Sequence, residues 1–250
     1  PSLGPASVAS VGQPEPPPIP SAARPRYTCA MRWTLPNILT VARMIAAPLV
    51  GLIFLILPRP YADWVAMILF LSASLTDYVD GYLARAWNQI SRFGAMLDPI
   101  ADKAVVVIAL AVLLGVHGIT AWTLIPVVAI LLREVFVSGL REFLGNQAST
   151  LQVTPLAKWK TMVQMVAITM LFAWGLFDHY FIMQTLGMNG EIVSGILNGD
   201  IADDVGLVLK FNGLMLTSYG GLVLLWLAAA LTLVTGLDYF RKALPYLKDR

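Results

Sequence analysis

The chain has 250 residues, 58% of them hydrophobic and only 13% charged, with a mean hydropathy of +0.72; a soluble domain would carry about 25% charged residues, so an ordinary water-soluble globule is excluded. The net charge of +2 is too small and too scattered to hold a nucleic acid, although the pI of 8.8 suits contact with anionic membrane lipids. Cys29 is the sole cysteine and the only histidines are His117 and His179, so neither a disulfide within the chain nor a zinc cluster is expected, and any bound metal must be held by oxygen.

Residues 1–30 read as a leader rich in Pro, Ala and Ser, with Pro14, Pro16, Pro17, Pro18 and Pro20 clustered and no apolar period. Such a composition is expected to stay disordered. Met31 would make a natural start, and residues 31–250 read as one membrane domain. Six apolar stretches follow, at about 36–57, 61–86, 95–116, 119–142, 156–177 and 214–240, each near the ~20 helical residues that cross a ~30 Å hydrocarbon core. Runs of this length satisfy their own backbone groups in lipid only as helices. The expected fold is therefore all-α, a polytopic membrane protein with six transmembrane helices. Short breaks at Leu57-Pro58-Arg59-Pro60 and Val116-His117-Gly118 should make sequential helices antiparallel neighbours. The stretch 178–213, with Asp178, Glu191, Asp200, Asp203 and Asp204, reads as a longer acidic loop with room for a short interfacial helix.

Lysine and arginine accumulate on the cytoplasmic side of membrane spans. Arg24, Arg26, Arg32, Arg85, Arg92, Arg141, Lys158, Lys160, Arg241, Lys242, Lys248 and Arg250 all fall on one side of a six-helix arrangement, against Arg59 and Lys210 on the other. Both termini are thus expected in the cytoplasm, and the chain in the cell (inner) membrane.

The second and third helices carry Asp77, Asp80, Asp98 and Asp102. An ionised carboxylate at membrane depth costs about 2.5–3.5 kcal/mol even on lenient scales, so four of them demand compensation. Asp77, Asp80, Gly81 and Ala84 share one helical face, and Gly94, Asp98 and Asp102 share another. A short polar connection around Trp87-Asn88-Gln89 lets the two faces meet beneath the cytoplasmic surface. Carboxylate ligation suits hard cations such as Mg²⁺ or Mn²⁺, which commonly bridge substrate phosphates. Gly81 and Gly94 would admit phosphates close to the backbone, and Arg85, one turn beyond Gly81, is placed to pair with one. Taken singly, each has a plainer reading: a proton-relay aspartate, a packing glycine, an anchoring arginine. A cation transporter would also carry intramembrane acids, but typically near the midplane on broken helices, whereas these cluster beside arginines near one face.

The stretch Asp77-Tyr-Val-Asp80-Gly81-Tyr-Leu-Ala84-Arg85, followed after eight residues by Gly94-Ala-Met-Leu-Asp98-Pro-Ile-Ala-Asp102, resembles the complete signature of the CDP-alcohol phosphatidyltransferase family. Pro36-Asn37-Ile-Leu-Thr40-Val-Ala-Arg43 resembles the start of that family's first helix. Arg133-Glu134, Gly139-Leu-Arg141-Glu142 and Lys158-Trp-Lys160-Thr161 are similar to its bacterial phosphatidylglycerophosphate synthase branch. The resemblance implies a pair of Mg²⁺ or Mn²⁺ ions on Asp77, Asp80 and Asp98, with Asp102 as a further ligand and the general base. It also implies that Asn37, Ile38, Leu39, Thr40, Gly81, Arg85, Ser91 and Gly94 hold CDP-diacylglycerol, and that the protein is a homodimer. Asn37 and Thr40 equally suit a helix start with Thr34 and Pro36, and Ser91 a cap of the third helix.

The expected acceptor is glycerol 3-phosphate, with serine, inositol phosphate and phosphatidylglycerol as alternatives. A phosphate of nearly two negative charges calls for cations beyond those serving the CDP-lipid. Arg133 and Arg141 lie about two turns apart, and Lys158 and Lys160 open the next helix on the same side. These four could instead only follow the cytoplasmic bias of basic residues.

Overall fold

The structure is a computed structural model that describes residues 34–86, 92–145 and 155–247, without the side chains of residues 78, 80–86, 92, 155, 157 and 158. The leader and Ser91 therefore lie outside the described residues, as do the side chains of Asp80, Arg85 and Lys158. The described residues form helices and connecting turns, without strands: α1 (Leu35–Ile56), α2 (Tyr61–Ala86), α3 (Arg92–His117), α4 (Ala121–Leu144), α5 (Pro155–Thr185), α6 (Gly190–Asn198) and α7 (Leu207–Leu247).

Local chemistry sets the helix ends. Thr34 is extended and Pro36 stands in the first turn of α1, where a missing N–H costs nothing; Thr34 makes no side-chain cap bond, so proline sets this start. Thr120 and Thr123 open α4 with a reciprocal capping box, Thr123 N–H donating to Thr120 Oγ1 at 3.3 Å and Thr120 N–H to Thr123 Oγ1 at 3.1 Å. Asp203 accepts from the Leu207 and Val208 N–H groups at 2.7 and 3.0 Å and starts α7. Gly199 ends α6 at φ 87°, in the left-handed region that glycine enters without strain.

Among the described residues, five helices are long and apolar enough to cross a membrane: α1, α3, α4, α5 and α7. The sixth expected span corresponds to α2, 26 residues long, in which the side chains of residues 78 and 80–86 lie outside the described residues. The expected acidic loop is also shorter than read. Residues 178–185 continue α5, α6 occupies the middle, and α7 begins at Leu207, seven residues before the predicted 214. The 41 residues of α7 span about 60 Å, roughly twice the hydrocarbon thickness. Polar residues near a span's end need not terminate its helix, because a helix leaving the hydrocarbon can continue in the interface.

Packing departs from chain order. α1 packs extensively on α2 and also on α3, whereas α2 and α3 touch each other only lightly; α4 and α5 both pack chiefly on α7. Thus the expectation of sequential neighbours holds for α1 and α2, while α3 and α4 meet over a short contact. Small residues allow the close approaches: Ala47, Ala66, Ala73, Ala109, Ala167 and Ala228 are buried at the crossings. A Cβ on Gly213 would meet the Phe177 ring at 2.4 Å, so this glycine sets the spacing of α5 and α7. Phe70, Leu110, Ile130, Ile168, Phe172 and Leu225 fill the centre. Large apolar side chains such as Leu55, Leu132, Val135, Leu209 and Val223 face outward, the arrangement expected where the surrounding solvent is lipid.

Candidate active site

Three helices bring their polar residues to one end of the bundle. Along α1, Asn37, Thr40 and Arg43 recur at helical spacing and are buried, while Ile38 points outward. Arg43 Nη1 donates to Asp77 Oδ1 of α2 at 2.7 Å and also to Asp102 Oδ1 of α3. Two carboxylates from different helices therefore converge on one nitrogen. Thr40 Oγ1 lies 2.5 Å from Asp98 Oδ1 and 3.0 Å from the Pro36 carbonyl, so its single proton serves two acceptors. Asp77 of α2 and Asp102 of α3 thus approach one another through Arg43, with α1 supplying the positive charge between them.

A second polar group is assembled by α4, α5 and α7. Lys160 Nζ and Arg133 Nη1 both donate to Glu134 Oε1, the latter at 3.2 Å. Two cations sharing one carboxylate leave a positive charge in excess. Arg133 Nη2 also donates to Thr235 Oγ1 of α7 at 3.3 Å, and Gly236 leaves room for the Arg133 stem. The Arg141 guanidinium stands over the Tyr239 ring, 5.4 Å from its centre, as in a cation–π contact. Lys103 Nζ donates to Ser138 Oγ at 2.5 Å.

Both groups border a single cavity of about 650 Å³. Asp77, Asp98, Asp102 and Arg43 line one part, and Arg133, Glu134, Arg141 and Lys160 another, with Lys103 and Gln164 also in its wall. Of the residues expected in the site, Asp77, Asp98, Asp102, Arg133, Arg141 and Lys160 are thus brought together. Asn37 and Gly94 are buried without lining this cavity, and neither Ile38 nor Leu39 borders it. Sequence reading assigned no role to Arg43, Lys103 or Gln164. For Arg43 and Lys103 the available signal was an ionisable residue inside an apolar helix, which is expensive unless it has work to do.

An oxygen-only donor set is present for a hard cation, with Asp77, Asp98 and Asp102 in one cavity. Among the described residues, no three His, Cys, Asp or Glu side chains gather at metal-holding spacing; Arg43 instead compensates Asp77 and Asp102 directly. The donor chemistry fits such an ion, while among the described residues the cation paired to Asp77 and Asp102 is Arg43.

The sequence that carries this site has counterparts in known proteins. The sequence model of CDP-alcohol phosphatidyltransferase matches residues 33–197. The chain is 54% identical over 219 residues to the CDP-diacylglycerol–glycerol-3-phosphate 3-phosphatidyltransferase of Cereibacter sphaeroides, covering 88% of this chain and 99% of that protein. The enzyme of the same name from Rickettsia bellii is 38% identical over 85% of this chain and 96% of its own length; that from Haemophilus influenzae is 41% identical over 55% and 75%. The chain therefore belongs to the CDP-alcohol phosphatidyltransferase family, and the residues that line its cavity fall within the matched stretch.

Proposed function

We propose that the protein transfers the phosphatidyl group of CDP-diacylglycerol to glycerol 3-phosphate, giving phosphatidylglycerophosphate and CMP. The observation that carries this reading is one cavity with a carboxylate part and a cationic part, able to receive a reacting hydroxyl and an anionic acceptor side by side. Relatives named for this reaction, one of them matched over nearly its whole length, support it.

The acceptor phosphate binds at Arg133, Lys160 and Arg141, with Lys158 on the same helix. The excess charge of the Arg133–Glu134–Lys160 group suits a dianion, and arginine's planar fork orients it. Holding both substrates in one cavity turns the encounter into a positioned attack. The acceptor hydroxyl oxygen forms a bond to the β-phosphorus of CDP-diacylglycerol, the bond to the bridging pyrophosphate oxygen breaks, and CMP leaves. Asp102 takes the hydroxyl proton, while Arg43 holds its carboxylate in place. Mg²⁺ or Mn²⁺ on Asp77, Asp80, Asp98 and Asp102 would neutralise charge on the pyrophosphate oxygens. Arg85, Gly81 and Ser91 complete the CDP-lipid site.

We place residues 31–250 in one domain of the cell (inner) membrane that acts as a homodimer, with six spans, both termini and the cavity facing the cytoplasm. The separation of basic residues supports the orientation: Arg141 and Lys160 lie at the cavity, whereas Arg59 and Lys210 contact the far part of α5 through Gly175 and Gln184.

The test supplies purified protein with CDP-diacylglycerol and, separately, glycerol 3-phosphate, serine, inositol phosphate and phosphatidylglycerol, and identifies the lipid product by mass. Phosphatidylglycerophosphate is expected, with EDTA abolishing CMP release and Mg²⁺ or Mn²⁺ restoring it. A preferred product from serine or inositol phosphate would overturn the acceptor assignment; undiminished turnover in chelator would overturn the metal assignment.

A further inference from the structure

The Gln164 side chain stands in the cavity wall, yet the residue is only 3% exposed, and its carbonyl Oε1 has no hydrogen-bond partner. Buried polar atoms are nearly always paired, so an unpaired acceptor beside a cavity points to a donor that arrives with a ligand. Gln164 follows Lys160 by four residues and therefore shares its face of α5, about 6 Å further along the axis. Lys160 is already committed to Glu134. Across the cavity, Ser74 Oγ donates to the Phe70 carbonyl at 2.8 Å and lies 3.4 Å from Met165 Sδ. That second contact sets Gln164, the neighbour of Met165, at the level of α2 one turn before Asp77.

We propose that Gln164 is a specificity-determining residue: its side-chain carbonyl accepts a hydrogen bond from the acceptor hydroxyl that is not transferred. The inference rests on glycerol 3-phosphate being the acceptor. A phosphate bound by Arg133 and Lys160 offers oxygens and no donor to this carbonyl. The attacking primary hydroxyl gives its proton to the carboxylate part of the cavity. What remains is the secondary hydroxyl on the central carbon, next to the carbon bearing the phosphate, and it is the donor that Oε1 lacks. No bond is made or broken in this contact, so it acts on acceptor choice rather than on the chemistry itself.

The experiment compares glycerol 3-phosphate with 3-hydroxypropyl phosphate, which keeps the phosphate and the primary hydroxyl but lacks the secondary one. With the intact enzyme, kcat/KM should favour glycerol 3-phosphate by about tenfold or more, because the analogue leaves the buried carbonyl unpaired. Equal use of the two acceptors would overturn the proposal whatever any variant does. In Gln164→Met, which keeps the volume and removes the acceptor atom, the ratio should fall to within about twofold, as expected when the discriminating contact is absent. Retention of the wild-type ratio would overturn it. Gln164→Asn, which draws the amide back by one methylene, reads the same ratio where the Met variant does not accumulate; a narrowed ratio supports the contact and an unchanged one refutes it. An intact enzyme that prefers serine or inositol phosphate fails the acceptor assignment itself, a result distinct from loss of discrimination between the two phosphates.

Discussion

Two arginine–aspartate pairs sit toward opposite ends of α2 and differ in what surrounds them. Near its start, Arg59 grips Asp63 through two bonds, of 2.8 and 2.9 Å, and the Asp63 side chain is 1% exposed. The Asp63 contact pushes the Arg59 pKa up, against the opposing effect of burial. Gly175 packs flat against this pair, and nearby His117 stacks on Trp174 at 4.0 Å and donates to the Leu171 carbonyl at 2.9 Å. Toward the other end, Arg43 reaches Asp77 and Asp102 through a single nitrogen, and those carboxylates remain 46% and 43% exposed to the cavity side. The same pair of residue types serves as a closed clasp in one place and as an open, charged wall in the other. Burying the carboxylate with both oxygens engaged yields structure; leaving carboxylate surface open preserves groups that can act on a substrate.

The largest expected effect separates the two. Asp102→Asn should lower kcat by about 10²–10⁴-fold, the size of a lost general base, with little change in thermal unfolding in detergent. Asp63→Asn should do the reverse. Its unfolding free energy should drop by about 3 kcal/mol, the low end of the range for a broken buried pair because Arg59 is partly exposed, while kcat of the folded fraction holds. A large activity loss in Asp63→Asn without destabilisation would erase the distinction.

Glycine substitutions sharpen it. An added Cβ at Gly175 would lie 2.4 Å from Arg59 Nη2 and 2.5 Å from Asp63 Oδ1, so Gly175→Ala must displace the clasp and should cost about 1–3 kcal/mol of stability. At Gly236 the Cβ would lie 2.9 Å from Arg133 Cγ. Gly236→Ala should therefore shift a pocket cation and raise KM for glycerol 3-phosphate by about fivefold, the equivalent of ~1 kcal/mol of overpacking, with less change in KM for CDP-diacylglycerol. Melting curves and acceptor titrations of both variants check this; matching phenotypes would argue against two kinds of site.

The smallest effect concerns neither pair. Val208 and Leu207 N–H groups hold the exposed Asp203 carboxyl below its ordinary range. Its contribution to the start of α7 is then full above the unfolded-state pKa of about 3.9 and is lost as pH falls through the lower folded value. Relative to the intrinsic rate, hydrogen exchange at the Leu207 and Val208 amides should speed up in acid in the wild type. In Asp203→Ala it should already be fast, relative to the intrinsic rate, at neutral pH, while turnover is unaffected.

Much of this was legible before any coordinates. The apolar runs specify helices because lipid offers backbone groups no other partner, and the 3.6-residue period puts Asp77 with Asp80 and Asp98 with Asp102 on shared faces. Helix ends were less legible. α5 runs through Asp178 and His179 to Thr185, because charged residues near the interface do not stop a helix as Gly187, at φ 83°, does.

Local pattern tells which face of a helix is polar and which residues sit on it, since that depends only on backbone geometry. It does not tell which helix that face meets, because side-chain fit between surfaces decides the choice. For that reason the sequence alone established the aspartate pairs, the membrane class and the basic residues Arg133, Arg141 and Lys160. Only the tertiary structure put Arg43 of α1 between Asp77 and Asp102, laid α7 behind Arg133, and left the buried Gln164 carbonyl unpaired in the cavity wall.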